Sequence, residues 1–181
     1  MSPVNIQGMV QIAKFHGLTV TALDLPPPPM PHGSRSKYNS ITPTLQQIKD
    51  HLDSHTKSVK IVLIAHVFGA VDEVEFDKIA TYINERNSSS PGSPILLIED
   101  CAESFTRLHS HSHSHSHDNP NTYTSHPLSH VSLFSFGTIK TRTSLGGGIL
   151  LLNQNPTNPY SNLLPQIKKL QSRLPKLLPW R

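Results

Sequence analysis

The spacing of apolar residues changes along this chain between a helical period and short uninterrupted runs. Over residues 4–16 apolar side chains recur every three or four positions, and Gly17 stands where a helix-terminating glycine belongs. We therefore predict a helix there, followed by a strand over residues 18–25. The four successive prolines that come next cannot continue regular structure, so residues 26–40 are expected to form a surface loop.

Helices and wholly apolar runs then alternate. Thr42 followed by Pro43 is typical of a helix start, and Asp72 with Glu75 matches a capping box at the start of another helix. Short apolar strands between such helices are typical of a parallel sheet that is covered on both faces. The sequence thus predicts an α/β fold, with a three-layer, mostly parallel sheet and helices on both faces. The predicted elements are a helix from Thr42 to about His55 with Leu45, Ile48 and Leu52 on one face, a strand at 61–65, a helix from Asp72 to near Asn87 carrying Val74, Ile79 and Ile83, a strand at 95–98, and apolar runs at 131–136 and 149–152.

Composition narrows the class of protein. The 181 residues fit one domain of about 100 to 200 residues, and 16 prolines and a His/Ser tract indicate that part of the chain is loop. The formal charge of +4 comes largely from the last segment, without the interleaved aromatic residues of a nucleic-acid site. With one cysteine, Cys101, no internal disulfide can form. Since no apolar run approaches the ~20 residues of a membrane span and no signal peptide is evident, we expect a soluble cytoplasmic protein.

Polar residues follow the predicted strands at the positions where a parallel sheet binds ligands. His66 follows one strand, and Glu99 and Asp100 follow the next. Because ligands bind outside the carboxyl ends of such strands, these groups could converge on one site with Lys140, which lies beyond a third strand. An aspartate after four apolar residues needs a cation or hydrogen bonds, although Asp100 could equally be the N-cap of the following segment.

Lys140 stands in a short polar turn between two apolar runs. Ser135 precedes it, and the glycines at 146–148 allow a close backbone approach to a bound group. A desolvated lysine can form a Schiff base, because burial frees the neutral amine to attack a carbonyl. The alternative is a solvated lysine on a hairpin, and the local sequence alone leaves both open.

A tract of alternating histidine and serine spans 109–117. Dense imidazoles can bind a transition metal, but no fixed cage is specified, so we favour an unfolded insertion and predict no metal site. Motifs of other chemistries are absent from the sequence: it contains no phosphate loop, dinucleotide-binding glycine motif, nucleophile elbow or HExxH zinc motif.

Three segments together resemble the DegT/DnrJ/EryC1/StrS family of sugar aminotransferases, which are pyridoxal-phosphate enzymes of fold type I. They are AHVFGAVDEVEFDKIA (65–80), ILLIEDCAES (95–104) and VSLFSFGTIKTRTSLGGGILL (131–151). The resemblance implies that residues 1–181 are a partial cofactor-binding large domain, with a proline-rich loop at 26–40 and a His/Ser-rich insertion at 107–127. Relatives are considerably longer, so the chain is similar to the central part of that domain.

The family pattern, carried over by position, implies specific roles for four residues. Lys140 would form the Schiff base with pyridoxal 5'-phosphate, Asp100 would pair with the protonated ring nitrogen, and Ser135 would bind the phosphate. Glu103 would lie near the ring oxygen, where relatives often have glutamine or histidine. Catalysis would rest on Lys140 and Asp100.

The resemblance also implies substrates and assembly. It implies transfer of an amino group from an amino acid to a keto-sugar, often nucleotide-linked, by a homodimer of the full-length protein. Thr141 and Gly146 stand where relatives commonly have asparagine and glutamate, which bears on substrate choice and on phosphate contacts across the dimer. Two alternatives are a non-catalytic truncated or degenerate relative and a His-rich metal-binding protein.

Overall fold

The computed structural model describes residues 3–23, 42–54, 59–104, 124–137, 146–153, 158–160 and 162–173. Within these ranges helices and strands alternate from residue 45 to residue 100, as the sequence predicts. The helices are α1 (Pro3–Phe15), α2 (Leu45–Ser54), α3 (Glu73–Ser89) and α4 (Leu163–Gln171), and a short 3-10 helix spans Val67–Gly69. The strands are β1 (Ile61–Ala65), β2 (Leu96–Asp100), β3 (Val131–Ser135) and β4 (Gly148–Leu152).

The four strands form one sheet in the order β1-β2-β3-β4. β1 and β3 both run parallel to β2, which lies between them, whereas β4 runs antiparallel to β3 at the edge of the described sheet. α3 connects β1 to β2, as a parallel pair requires. The prediction of an α/β fold with a mostly parallel sheet is confirmed.

The core lies on the face of the sheet that α3 covers. Side chains of α2, α3, β1 and β2 form one buried cluster there, of which Ile64, Phe76 and Leu97 are at most 3% exposed. Alternate residues of β1 point to the opposite face, where Ile61 and Leu63 are 39% and 42% exposed. Among the described residues, cover on that second face is therefore incomplete at β1.

The helix starts depend on side-chain caps. α2 begins at Leu45 and not at Thr42, because Thr44 and Gln47 cap it reciprocally: the Gln47 N–H donates to Thr44 Oγ1 at 3.2 Å, and the Thr44 N–H donates to Gln47 Oε1 at 2.8 Å. The predicted start was therefore two to three residues too early. At α3 the Asp72 half of the predicted capping box is confirmed, since Asp72 Oδ1 accepts from the Glu75 N–H at 3.0 Å. The Glu75 carboxylate instead accepts from the Leu45 N–H and from Lys78 Nζ.

The N-terminal prediction is half correct. α1 forms, and Gly17 ends it in the left-handed region at φ 72°, but residues 18–23 form no strand. A strand needs a neighbour, and this segment pairs with none in the described part of the chain, leaving Val20 46% exposed. The predicted loop at 26–40 lies outside the described residues.

The buried Asn87 amide and the partly buried Tyr160 hydroxyl hold the amino end of β2. The Asn87 side chain accepts from the Ile95 N–H at 2.8 Å and donates to the Ile95 carbonyl at 2.9 Å. The Tyr160 hydroxyl donates to the Pro94 carbonyl at 2.7 Å. α3 and the segment after β4 are thus tied to the entry into the central strand.

Across the described ranges, no helix has both the length and the apolar content needed to cross a bilayer.

Candidate functional site

The carboxyl ends of the three parallel strands meet at one edge of the sheet. Ala65 lies beside Asp100, and Asp100 lies beside Leu133. Backbone hydrogen bonds continue just past the strands, from the His66 N–H to the Asp100 carbonyl at 3.1 Å and from the Cys101 N–H to the Leu133 carbonyl at 2.9 Å. This edge is where the sequence places its candidate ligand groups.

Asp100 and Ser135 lie on the same face of the sheet. Asp100 is in register with Leu133, and Ser135 follows Leu133 by two residues, so both side chains point to the side opposite α3. Asp100 is only 9% exposed, although it is a carboxylate at the end of a central strand. Two residues that the sequence assigned to one cofactor are thus diagonal neighbours on one surface.

One Asp100 oxygen is used locally and the other is not. Oδ1 accepts from the Ala102 N–H at 3.0 Å, as an N-cap side chain would, although residues 102–104 form a turn and not a helix. Within the described part of the chain, no donor pairs with Oδ2. A carboxylate oxygen without a protein donor attracts a cation or a hydrogen-bond donor. The position therefore fits a protonated ring nitrogen such as that of pyridoxal phosphate.

Ser135 has a glycine directly opposite it. Gly148 of β4 is its register partner, and a Cβ atom on Gly148 would lie 2.7 Å from the Phe134 carbonyl oxygen. Only glycine lets β4 approach β3 this closely. In the described ranges the Ser135 hydroxyl has no hydrogen-bond partner, so it is available to a bound acceptor such as a phosphate oxygen.

Glu103 lies in the turn that follows β2. Gly69, at φ 72°, ends the 3-10 helix after β1, and a Cβ atom there would lie 3.1 Å from the Glu103 carbonyl oxygen. The loops after β1 and β2 therefore touch at this point. The assignment of Glu103 to the cofactor ring oxygen stays a prediction.

Lys140 falls in the range 138–145, which is outside the described residues. Its role as the Schiff-base lysine stays a prediction from sequence. The His/Ser tract at 109–117 also falls outside, and so does the predicted insertion apart from residues 124–127.

Glu99 and His66 do not converge with Asp100, contrary to the expectation from their strand-end positions. Glu99 points to the α3 face and Asp100 to the other, because successive side chains of a strand alternate. On the α3 face Glu99 Oε1 lies 2.9 Å from His66 Nε2, and both side chains are 0% exposed. The strict two-residue period of strands could have indicated this separation from the sequence.

The same buried cluster contains three side chains of the kinds that bind metal ions. The ligand atoms of His66, Glu99 and Cys101 all lie within 4.8 Å of one another. However, burial, followed by the negative charge of Glu99, raises the pKa of the Cys101 thiol well above its usual range. The Glu99 oxygens have protein hydrogen-bond partners in this structure, so His66 and Glu99 belong to a hydrogen-bond network.

Comparison by sequence finds no matching family profile and no matching curated protein. Comparison by structure finds Spr1654 of Streptococcus pneumoniae, provisionally described as a sugar aminotransferase. Its PLP form is matched with a TM-score of 0.61 and 13% identity over 91% of this chain and 37% of that one. Its PMP form is matched with a TM-score of 0.54 and 14% identity, over 81% of this chain and 32% of that one. A mutant of GDP-4-keto-6-deoxymannose-3-dehydratase (ColD) with bound GDP-perosamine is matched with a TM-score of 0.50 and 17% identity, over 87% of this chain and 31% of that one.

These likenesses establish the fold. The chain has the α/β fold of the PLP-form and PMP-form sugar aminotransferase structures and of the ColD dehydratase, and it spans about a third of their length.

Proposed function

We propose that this chain is the cofactor-binding part of a pyridoxal-phosphate-dependent aminotransferase of the DegT/DnrJ/EryC1/StrS family. Its substrates would be a keto-sugar, often nucleotide-linked, and an amino acid that donates the amine. The observation that carries the proposal is the buried Asp100 carboxylate, whose spare oxygen lies on the same sheet face as the Ser135 hydroxyl. The shared fold with PLP-form and PMP-form structures supports it.

Each residue has a physical task in this proposal. When bound, pyridoxal phosphate supplies an electron sink for the carbanion that forms at the substrate α-carbon. Asp100 holds a proton on the ring nitrogen, because a carboxylate beside that nitrogen favours its cationic form. Ser135 would donate to the phosphate, and Lys140 would hold the cofactor through its amine and, once substrate has released that amine, would accept the substrate α-proton. Glu103 near the ring oxygen requires a shared proton, since two anionic oxygens repel.

The full-length protein is proposed to be a cytoplasmic homodimer. A non-catalytic relative that binds little cofactor is the alternative, because the chain spans only about a third of the structures it resembles. Covalent labelling decides between the two.

The experiment is to incubate the chain with pyridoxal phosphate, reduce it with borohydride and locate the label by peptide mass spectrometry. We expect a pyridoxyl group on Lys140. Lys140→Ala should lose that label, whereas Lys14→Ala, which changes an exposed residue of α1, should keep it. A folded chain that carries no label on Lys140, or equal labelling of exposed lysines such as Lys14 and Lys60, would overturn the proposal.

A further inference from the structure

We propose that Glu99 is a positioning residue of this site, which fixes the end of β2 so that Asp100 presents its carboxylate to the cofactor. Glu99 itself lies on the opposite face and touches no substrate or cofactor. The inference rests on the proposed function for its purpose, but its structural part can be tested without any cofactor.

Glu99 is a fully buried carboxylate whose two oxygens are both occupied by protein groups. Its side chain is 0% exposed. Oε1 pairs with His66 Nε2 at 2.9 Å, while Oε2 accepts from the His126 N–H at 2.9 Å and the Ser129 hydroxyl at 2.7 Å. Hydrogen bonds of this kind are shielded from water, and each of these groups would be left without its partner if the Glu99 side chain were removed.

The donors come from separate parts of the chain. His66 belongs to the loop after β1, and His126 and Ser129 belong to the segment that enters β3. Ser132 of β3 itself lies at 3.5 Å from Oε2. A single side chain thus joins all three parallel strands at their junction.

An aromatic ring closes this network on the α3 side. Phe76, which is 0% exposed, lies edge-on to both His66 and His126, with ring centroids 5.3 Å and 5.4 Å away. Water is therefore kept from the Glu99 hydrogen bonds, which would otherwise exchange with solvent.

Fixing Glu99 fixes Asp100, because the two are consecutive residues of one strand. Their side chains point to opposite faces, so a Glu99 held rigidly on the α3 face determines the direction of the Asp100 side chain on the other. The Asp100 carbonyl accepts from the His66 backbone N–H. The imidazole ring of the same histidine is hydrogen-bonded to Glu99. Asp100 Oδ1 then orients on the Ala102 N–H.

Asn87 offers a matched control at the other end of the same strand. It is also a buried polar side chain, 7% exposed, and it makes two hydrogen bonds to Ile95 just before β2 begins. Loss of Asn87 should destabilise the fold without disturbing the carboxyl end of β2. Loss of Glu99 should do both.

The test compares Glu99→Ala, Glu99→Gln and Asn87→Ala in the whole chain. Three quantities are measured: the melting temperature, the dissociation constant of pyridoxal phosphate, and the hydrogen-exchange rate of the Ala102 amide by NMR. For Glu99→Ala we expect the dissociation constant to rise about tenfold or more and Ala102 exchange to accelerate by a similar factor. Glu99→Gln should lose less, because its amide oxygen can still accept from Ser129 and its nitrogen can donate to the other tautomer of His66. For Asn87→Ala both quantities should stay within about twofold, despite a lower melting temperature.

Equal weakening of cofactor binding by Asn87→Ala and Glu99→Ala at equal loss of melting temperature would make Glu99 merely structural and overturn the inference. So would an unchanged Ala102 exchange rate in folded Glu99→Ala. If Glu99→Ala does not fold, Ser129→Ala removes only the 2.7 Å donor and should show the same pattern at reduced size. If the unmodified chain binds no pyridoxal phosphate, the proposed function fails, while Ala102 exchange still decides whether Glu99 holds Asp100.

Discussion

The Nδ1 atom of His130 accepts a hydrogen bond from the Leu97 backbone N–H at 2.9 Å, so a side chain extends the ladder between β2 and β3. The His130 N–H in turn donates to the Leu97 carbonyl at 3.2 Å. His130 is 1% exposed, and burial lowers its pKa from the ordinary 6.5 to about 4. Only the neutral ring can accept this bond, so its protonation opposes the fold.

This relationship predicts that stability falls in mild acid. The unfolded chain takes up a proton at His130 near pH 6.5, whereas the folded chain takes it up only near pH 4. The stabilisation is fully present above pH 6.5 and is lost as the pH falls toward 4. The loss from this group should total about 3 kcal/mol in the free energy of unfolding, measured by urea titration at a series of pH values.

His130→Gln should flatten that pH dependence, at the cost of lower stability at pH 7. The control His16→Gln changes an exposed histidine after α1 and should leave the profile as it is. A profile equally steep with and without His130 would contradict the assignment.

If the proposed function holds, Asp100→Asn in the full-length protein should lower aminotransferase turnover by about a hundredfold or more, because an amide cannot keep the nitrogen of the pyridoxal ring protonated. The melting temperature should change little, since the amide oxygen can still accept from the Ala102 N–H. Asp53→Asn, at a side chain that is 67% exposed, serves as the control. Unchanged turnover in folded Asp100→Asn would reduce Asp100 to a turn cap.

Glu75→Ala should destabilise the junction of α2 and α3 by about 1 to 2 kcal/mol in chemical unfolding. Glu75 Oε1 accepts from the Leu45 N–H at 2.6 Å, so a residue of α3 satisfies the first backbone donor of α2. That bond lowers the pKa of Glu75, and its contribution should be lost as the pH falls from 4.5 through the lowered value. Glu85→Ala, on the exposed side of α3, should cost far less.

Gly148→Ala should destabilise the pairing of β3 and β4 by about 1 to 3 kcal/mol, because its methyl group would meet the Phe134 carbonyl at 2.7 Å. Gly92→Ala is the matched control, since nothing lies within 4 Å of its added Cβ atom. Thermal unfolding of both variants measures the difference. Similar melting temperatures for the two would show that β4 can shift to make room.

Local patterns were sufficient to predict most elements of this fold. The cap at Asp72 acts within three residues, and the apolar residues of each strand lie within five consecutive positions, so both could be recognised without tertiary information. The strand predicted at 18–25 failed over 18–23 because strand formation depends on a partner that the segment itself cannot specify.

The site was predictable only in part, because its geometry also depends on partners that are distant in sequence. The sequence places Asp100 and Ser135 at strand ends, but their common face follows from the register of β2 on β3. The partners of Glu99 lie 27 to 33 residues away, at His126, Ser129 and His66, and no local pattern connects them. His130 as an acceptor for Leu97 is equally non-local, at a separation of 33 residues.

Among the described residues β4 lies at the edge of the sheet, which has a consequence for handling the polypeptide. Ile149, Leu150 and Leu151 are 44%, 45% and 48% exposed, and this strand of glycine, isoleucine and leucine has no charge or proline to deter a second chain from adding to it. Such an edge is a template for aggregation, so light scattering of the purified chain should rise steeply with concentration. A single gatekeeper charge, Leu150→Lys, should suppress that rise.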